Sequence, residues 1–245
     1  MSKTRLFQSS IDRFFVGDEH DRYKKARFTD SLLSDSRTVI QAYGEYESIG
    51  SGVYVSRCRK ELAENMHGVA CVAQCENREM QIECVHGRCS TGMLCGNQRF
   101  QLGQSVALSL EKSSDKGIML IVDDFISEGN FVVQYTGEVL TEAEYVQRRK
   151  DLCGTRHYYG IRLSQSHVVD AAYKGSMARF ANHSCSPNCA MEKWEVGGET
   201  CLGLFARSPI ARGEEITFNY ASHNAETSTR KCVCGARNCK GVIPS

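Results

Sequence analysis

The chain has 245 residues, a formal net charge of +1 and an apolar content of 41%. That length allows one large domain or a domain with satellites, and the apolar fraction is sufficient to fill a core. A net charge this close to zero predicts no strong general attraction to nucleic acid, so binding of a polyanion would need a local patch. No run of 18 apolar residues occurs and no signal-peptide core stands at the start, so we expect neither a membrane span nor export.

The first 44 residues alternate short charged runs with isolated apolar residues, which predicts a mobile extension. Gln8 lies one helical turn before Ile11, Phe14 and Phe15, which share one face of a helical turn. One hypothesis is a short amphipathic turn that docks on the chain's own core. The other is binding to the sliding clamp of replication, because Gln-x-x-Ile-x-x-Phe-Phe resembles the clamp-binding peptide of replication proteins.

Thirteen cysteines are many for a chain without an export signal. In a reducing compartment, clustered cysteines usually bind metal, although unpaired structural thiols are the alternative interpretation. The last three are spaced as Cys-x-Cys-x4-Cys and supply three thiolates, whereas a structural zinc ion takes four ligands. The two clusters are Cys58, Cys71, Cys75, Cys84, Cys89 and Cys95, and Cys232, Cys234 and Cys239.

From about residue 100 the sequence consists of short β-rich runs broken by Asp, Ser and Gly. One helix is predicted from Thr141 to about Leu152, because Thr141 is a suitable N-cap and acidic residues occupy the first turn. The pattern therefore predicts a mainly β fold with short helices. Strands are predicted at 105–110, 117–122, 131–135, 158–163, 168–169, 201–206 and 215–218, with a short helix at 176–180.

The stretch Arg179–Cys189 reads Arg-Phe-Ala-Asn-His-Ser-Cys-Ser-Pro-Asn-Cys and concentrates directional hydrogen-bonding and metal-binding groups. It resembles the central motif of the SET-domain protein lysine methyltransferases. Gly213–Tyr220 resembles the second signature of that family, and Tyr135–Glu138 resembles a third. The resemblance implies small sheets around a pseudoknot, flanked by zinc-binding AWS and post-SET segments. It divides the chain into a mobile extension at 1–44, AWS at 45–98, SET at 99–222 and post-SET at 223–245.

The resemblance also implies two or three zinc ions. In the AWS region of the family, seven cysteines hold two zinc ions. Carried over, Cys71 bridges both sites, Cys84, Cys89 and Cys95 complete one, and Cys58 and Cys75 belong to the other. The usual first cysteine appears as Ser56, so we expect a weakened second site unless His67 substitutes. In the post-SET segment, Cys185 is the fourth ligand beside Cys232, Cys234 and Cys239.

The resemblance to this family implies transfer of a methyl group from S-adenosylmethionine to a lysine amine. Tyr220 matches the catalytic tyrosine, and Tyr135, Tyr158 and Phe218 match channel positions, although a tyrosine in a strand is more often a core residue. Phenylalanine at 218 predicts di- or trimethylation. The residues expected to bind the cofactor are Lys116, Gly117, Ile118, Met119, His157, Tyr158, Arg179, Asn182 and His183.

Two departures from the family pattern bear on affinity and specificity. Met119 replaces the second glycine of the loop that approaches the cofactor, so it either narrows the pocket or turns outward. Gly160 replaces a bulky residue, which predicts a wider channel mouth.

The order AWS, SET, post-SET resembles the histone H3 lysine-36 methyltransferases, so we expect a nuclear, chromatin-associated enzyme acting on a histone or nucleosome, without sequence-specific nucleic-acid binding. The alternatives are another histone lysine, a replication-associated protein as substrate, or an inactive SET scaffold that binds chromatin or the clamp.

Overall fold

A computed structural model describes residues 47–48, 53–54, 75–85, 89, 95–152, 159–222 and 230–243, the first two ranges as backbone only. Several predicted residues lie outside these ranges: Gln8, Ile11, Phe14, Phe15, Ser56, Cys58, His67, Cys71, His157 and Tyr158. None of the described helices is long and apolar enough to span a membrane.

Short strands in small sheets make up most of the regular structure, and this confirms the predicted mainly β fold. The described strands form one five-stranded sheet, one three-stranded sheet and two pairs. The strands are β1 Glu47–Ser48, β2 Val53–Tyr54, β3 Leu108–Ser113, β4 Gly117–Val122, β5 Phe131–Tyr135, β6 Gly137–Thr141, β7 Gly160–Arg162, β8 His167–Gly175, β9 Asn182–His183, β10 Cys189–Val196, β11 Glu199–Ala206 and β12 Thr217–Phe218. The helices are α1 Glu76–Glu79 and α2 Glu142–Asp151, with 3-10 turns at Met177–Phe180 and Tyr220–Ser222.

The five-stranded sheet has the order β1-β8-β6-β2, and β7 also pairs with β8. The three-stranded sheet has the order β10-β11-β5, while β3 pairs with β4 and β9 with β12. Side chains from all four sheets contribute to the largest buried apolar cluster, which includes Leu110, Leu120, Val169, Leu204 and Phe218. This cluster is the common core against which the candidate site is built.

Helix α2 begins as the sequence predicted. The Thr141 hydroxyl accepts from the Glu144 backbone N–H, and the Glu144 carboxylate accepts from the Thr141 backbone N–H, which forms a capping box. The strand predictions need more correction: β3 starts at Leu108 instead of residue 105, and β8 extends to nine residues. Strands β6 and β10 were missed, because each begins with residues that also suit a turn or motif loop.

The residues before the SET region dock on strand β10. Ile82 forms a parallel bridge with Glu195, and the Glu83 backbone N–H donates to the Glu195 carbonyl over 2.8 Å. The Glu83 side chain is fully buried and accepts from the Phe100 N–H at 2.7 Å and from the backbone and side chain of Gln101. Burial raises the pKa of Glu83, and these hydrogen bonds oppose the rise. The buried Glu83 carboxylate thus links the residues that dock on β10 to Phe100 and Gln101.

Gly160 does not widen a channel, contrary to the prediction. It pairs with Asp170 in the β7–β8 register, on the face where Arg148 of α2 contacts Asp170 at 3.2 Å. A Cβ atom at Gly160 would lie 2.2 Å from the Tyr145 Oη of α2. Because the Tyr145 ring fills the space of the missing side chain, this glycine lets α2 pack closely on the sheet.

We therefore expect Gly160→Ala to lower the free energy of unfolding by about 1–3 kcal/mol, the usual cost of overpacking. Chemical denaturation would measure the loss. Gly96→Ala is the matched control, because the nearest heavy atom to its Cβ lies 3.7 Å away. In a Tyr145→Ala background the Gly160→Ala change should cost little; an unchanged cost there would show that the Tyr145 contact is not its cause.

Candidate active site and cysteine clusters

The Arg179–Cys189 and Gly213–Tyr220 signatures each contain a short strand, and these two strands pair with each other. Strand β9 pairs in parallel with β12, so that Asn182 lies opposite Thr217 and His183 lies opposite Phe218. The Asn188 side chain strengthens the junction: it donates to the Glu215 carbonyl at 2.8 Å and accepts from the Thr217 N–H at 2.9 Å. The Arg179–Cys189 stretch and the Gly213–Tyr220 stretch therefore form one structural unit.

Asn182 is held by hydrogen bonds to strand β4 and to Glu215. Its Nδ2 donates to the Ile118 carbonyl at 3.0 Å and to the Glu215 carboxylate at 2.9 Å. Glu215 also binds the Lys116 ammonium at 2.5 Å, with both side chains largely buried. These bonds bring three predicted cofactor residues together, through a glutamate to which the sequence analysis assigned no role.

His183 connects the candidate catalytic tyrosine to the last cysteine cluster. Its Nδ1 accepts from the Tyr220 backbone N–H at 3.2 Å, and its Nε2 lies 3.5 Å from the Cys185 Sγ. Burial, together with the charge of Lys240, lowers the pKa of His183. The ring is therefore neutral at pH 7, and because Nδ1 is an acceptor, its proton resides on Nε2 and faces Cys185.

Two tyrosine hydroxyls donate to backbone carbonyls beside this unit. Tyr220 Oη donates to the Ala181 carbonyl and Tyr135 Oη to the Tyr159 carbonyl, both over 2.8 Å. Burial raises the pKa of both phenols, so each remains neutral. The Phe218 ring centroid lies 4.7 Å from that of Tyr220.

Arg179 is buried and holds the neighbouring strand. Its Nε donates to the Ala171 carbonyl at 2.8 Å, and its guanidinium lies 3.8 Å from the centroid of the Tyr159 ring. Its contacts to β8 and to Tyr159 indicate that it fixes the shape of the site, in addition to lining it. The prediction had treated Arg179 as a cofactor ligand alone.

A single cavity joins these groups to the C-terminal segment. Its lining comes from both signatures, from the β3–β4 hairpin, from the segment that begins at residue 230 and from Tyr159. The lining residues are Asp115, Lys116, Ile118, Tyr159, Arg179, Phe180, Asn182, His183, Tyr220, Arg230, Lys231, Cys232, Val233, Cys234 and Ile243. Tyr135 and Phe218 are buried and lie outside this lining. Tyr159 and Arg230 line the cavity, although the sequence analysis did not single them out.

The altered glycine loop is the start of strand β4. Gly117 has a φ of 82°, a conformation that favours glycine. Ile118 lines the cavity, whereas Met119, the next residue in the strand, is outside the lining. Because successive side chains in a strand point to opposite faces, the outward alternative predicted for Met119 fits this arrangement.

Four cysteines form a cluster next to the cavity. The Sγ atoms of Cys185, Cys232, Cys234 and Cys239 all lie within 4.8 Å of one another, and those of Cys185 and Cys232 are 3.9 Å apart. Tetrahedral zinc with 2.3 Å Zn–S bonds places sulfur atoms about 3.8 Å apart. Burial opposes ionisation of Cys234, but hydrogen bonds with the Cys185 and Ala236 backbone lower its pKa to about 6. The donor set fits a structural zinc ion.

A second cluster lies in the preceding segment. The buried Cys84, Cys89 and Cys95 have Sγ atoms within 4.8 Å of one another, and Cys75 Sγ lies 3.8 Å from Cys84 Sγ. The side-chain amides of Asn77 and Asn97 point at the Cys84 sulfur, at 3.5 and 3.6 Å. These thiols suit zinc, and the bridging role of Cys71 and the site shared by Cys58 and Cys75 remain predictions.

Comparison with known families identifies two domains in the predicted order. Residues 67–102 match the AWS domain and residues 117–221 match the SET domain. Histone-lysine N-methyltransferase ASHH2 of Arabidopsis thaliana is 40% identical over 178 residues, which cover 71% of this chain and 10% of that protein. Histone-lysine N-methyltransferase, H3 lysine-36 specific, of Chaetomium globosum is 42% identical over 173 residues, which cover 70% of this chain and 19% of that protein. The chain thus spans a tenth to a fifth of the length of these relatives.

Solved structures show the same fold. The methyltransferase domain of human Histone-lysine N-methyltransferase SETMAR superposes with a TM-score of 0.68 at 23% identity, covering 89% of this chain and 93% of that chain. The structure described as ctPRC2 in an autoinhibited conformation bound to S-adenosylmethionine gives a TM-score of 0.58 at 26% identity, covering 67% of this chain and 24% of that chain. The chain belongs to the SET-domain family and carries an AWS domain before its SET domain.

Proposed function

We propose that this chain is an S-adenosylmethionine-dependent protein lysine N-methyltransferase that acts on a histone. Within that group we place it in the H3 lysine-36 class, so its proposed substrate is lysine 36 of histone H3. The observation that carries the proposal is the single cavity in which Asn182, His183 and Tyr220 meet the C-terminal cysteine segment. Relatives named as H3 lysine-36 specific histone-lysine N-methyltransferases, at about 40% identity, support this class of substrate.

The residues around the cavity fit the expected cofactor. Adenosine needs amide and backbone partners together with a flat apolar wall, and an amino-acid tail needs charged partners. Asn182, His183 and Ile118 supply the polar and apolar groups that adenosine needs, while Lys116 and Arg230 supply cationic groups for the amino-acid tail. When bound, S-adenosylmethionine supplies a methyl group on a positively charged sulfur. We propose that Lys116, Gly117, Ile118, Asn182 and His183 hold it, and that His157, Tyr158 and Arg179 also contribute to its binding.

The contribution of the chain to the reaction is positioning and desolvation. The Tyr220 hydroxyl donates a hydrogen bond to the Ala181 carbonyl. The phenolic oxygen can therefore act only as a hydrogen-bond acceptor toward the cavity. Aromatic walls from Tyr220 and Tyr159, backed by Tyr135 and Phe218, exclude water from a lysine side chain. Exclusion of water lowers the pKa of a lysine ammonium, and this favours the neutral amine required as nucleophile. Correct alignment of the reacting groups supplies much of the acceleration.

We further propose the domain boundaries given by the sequence, with AWS at 45–98, SET at 99–222 and post-SET at 223–245. A histone substrate places the protein in the nucleus, associated with chromatin. Two or three zinc ions would occupy the cysteine clusters and hold the outer segments on the SET core.

Incubation with labelled S-adenosylmethionine and either free histones or nucleosomes tests the proposal, followed by mass spectrometry of the modified peptide. We expect labelled H3 at the lysine-36 site. Label on a different lysine or on a replication protein would keep the enzyme class and overturn the substrate. Intact cofactor binding without transfer to any of these would instead identify an inactive SET scaffold.

Phe218 predicts the degree of methylation. Its ring is 2% exposed and packs on Tyr220, so this side chain brings no hydroxyl to that position. We expect di- or trimethylated lysine under excess enzyme, and a shift to monomethyl-lysine in Phe218→Tyr, measured by mass spectrometry. A wild-type product that stops at monomethyl-lysine would contradict the assignment.

The N-terminal peptide is proposed to bind the sliding clamp. Ile11, Phe14 and Phe15 would fill an apolar pocket, with Gln8 hydrogen-bonded beside it. We expect a dissociation constant on the order of micromolar, because a short peptide loses conformational entropy when it docks. Calorimetry of a peptide spanning residues 1–25 would measure it, with Phe7→Ala as the control. Equal binding by a Phe14→Ala, Phe15→Ala peptide, or no binding by the native one, would show that the match to the clamp-binding pattern is a chance resemblance.

A further inference from the structure

Glu215 lies outside the cavity but contacts two side chains that line it. Its carboxylate accepts from the Asn182 Nδ2 at 2.9 Å and binds the Lys116 ammonium at 2.5 Å. Asn182 and Lys116 both belong to the cavity lining, whereas Glu215 does not. The Glu215 side chain is 14% exposed, so it is largely shielded from solvent as well. It therefore contacts the cavity wall from behind without being part of it.

The hydrogen-bond partners of Asn182 favour one orientation of its side-chain amide. Nδ2 donates to the Ile118 carbonyl at 3.0 Å and to the Glu215 carboxylate at 2.9 Å, and these bonds use both of its protons. A carbonyl and an ion-paired carboxylate are acceptors only, so the opposite orientation would place Oδ1 against two oxygens. Among the described residues no donor reaches Oδ1. This oxygen is therefore the acceptor that Asn182 offers to the cavity.

The backbone of Glu215 is anchored independently of its carboxylate. The Glu215 carbonyl accepts from the Asn188 Nδ2 at 2.8 Å, and Ile121 of β4 forms an antiparallel bridge with Glu215. The next residue, Ile216, donates its N–H to the Leu120 carbonyl at 2.7 Å. A change confined to the carboxylate leaves these bonds in place. The side chain can therefore be altered without removing the contacts that hold this stretch on β4.

We propose that Glu215 is a positioning residue for the cofactor, which turns the Asn182 oxygen toward the cavity and holds the Lys116 ammonium beside it. This inference rests on the proposed function. S-adenosylmethionine carries amino groups on its adenine and on its amino-acid tail, and each can donate to an amide oxygen. An Asn182 amide turned the other way would present its own NH2 group and leave such a donor unpaired, which weakens binding. Glu215 thus acts on the cofactor through Asn182 and Lys116.

Glu215→Gln in the full chain tests this role, because glutamine keeps the shape but loses the charge and can itself donate to Asn182. Calorimetry with S-adenosylhomocysteine measures cofactor affinity, and histone methylation gives kcat and KM. We expect the affinity to fall about tenfold, the scale of a hydrogen bond to a charged group, and KM for S-adenosylmethionine to rise equally. At saturating cofactor kcat should stay within about threefold of wild type, because the lost interaction is one of binding. Glu214→Gln is the matched control, since this neighbouring carboxylate is exposed, and it should change neither quantity.

A double-mutant cycle separates an effect through Asn182 from an independent one. Asn182→Ala removes the oxygen that Glu215 orients, so adding Glu215→Gln to it should cost less than about threefold in affinity, the part that acts through Lys116. Losses that multiply in full would overturn the positioning of Asn182.

Unchanged affinity in Glu215→Gln would overturn the role as well. So would a Glu215→Gln chain that unfolds by circular dichroism, because that result would assign the carboxylate to the fold. Calorimetry needs no methyl transfer, so the two proposals fail separately. A wild-type chain that binds no S-adenosylhomocysteine would refute the proposed function itself, whereas equal binding by an active wild type and by Glu215→Gln would refute only the role of Glu215.

Discussion

Tyr220→Phe should lower the rate of lysine methylation by about a hundredfold or more, because correct alignment in the site is lost with the hydroxyl. The substitution removes one oxygen and almost no volume. That oxygen donates to the Ala181 carbonyl at 2.8 Å. Tyr220 lines the cavity, and its ring packs on the rings of Phe218 and His183. Without that oxygen, the phenolic acceptor and the hydrogen bond that ties the Tyr220 ring to Ala181 are both lost.

Single-turnover methylation of an H3 peptide and calorimetry of cofactor binding would separate the two effects of Tyr220→Phe. We expect cofactor affinity to remain within about fivefold, the effect of one hydrogen bond. Tyr173→Phe is the matched control, since this tyrosine is 48% exposed on β8, and it should leave both quantities unchanged. A Tyr220→Phe protein with wild-type turnover would remove Tyr220 from the catalytic role.

The fold was predictable where local chemistry decides the structure. Thr141 and Glu144 specify the start of α2 by themselves, since both halves of the capping box lie within one turn. Strand β10 was missed because its first residue, Cys189, also ends the motif stretch, although it pairs with β11 in a local hairpin that turns at Gly197 and Gly198. Gly160 was misinterpreted for a different reason: its role depends on Tyr145, which reaches it from another element.

The sequence predicts which motifs form the candidate site better than it predicts the role of each residue in it. The sequence places Asn182, His183 and Tyr220 in recognisable signatures, and the structure brings them to one cavity. The sequence does not reveal that Glu215 joins Lys116 to Asn182, or that Arg179 holds β8 and Tyr159. Such roles come from pairs of residues 8, 20, 33 and 99 positions apart in the chain, in different segments, which a motif cannot display.

The other large effect is expected at the last cysteine cluster. Cys234→Ser removes one of the four thiols that tie segment 230–243 to Cys185, and it removes the thiol whose pKa is lowered to about 6. The segment supplies cavity-lining residues, among them Val233 and Ile243. Val233 and Val242 are nevertheless 42% and 50% exposed, so burial of apolar side chains contributes little to holding the segment in place. Hydrogen bonds such as that from Asn238 to the Cys185 carbonyl, at 3.3 Å, give limited support. We therefore expect zinc bound by these thiols to supply most of the energy that holds this segment against the cavity.

We expect Cys234→Ser to lose one zinc ion and to weaken S-adenosylmethionine binding at least about tenfold, the scale on which disturbed metal sites lose function. The SET core should stay folded, since its apolar cluster draws on residues between β3 and β12 and not on the C-terminal segment. Native mass spectrometry would count zinc, calorimetry would give the affinity, and circular dichroism would follow the fold. Cys201→Ser is the matched control, because this thiol belongs to neither cluster and burial, with nearby Glu199 and Glu83, raises its pKa to about 12. Full cofactor affinity after selective loss of that zinc would show that the segment closes the cavity without metal.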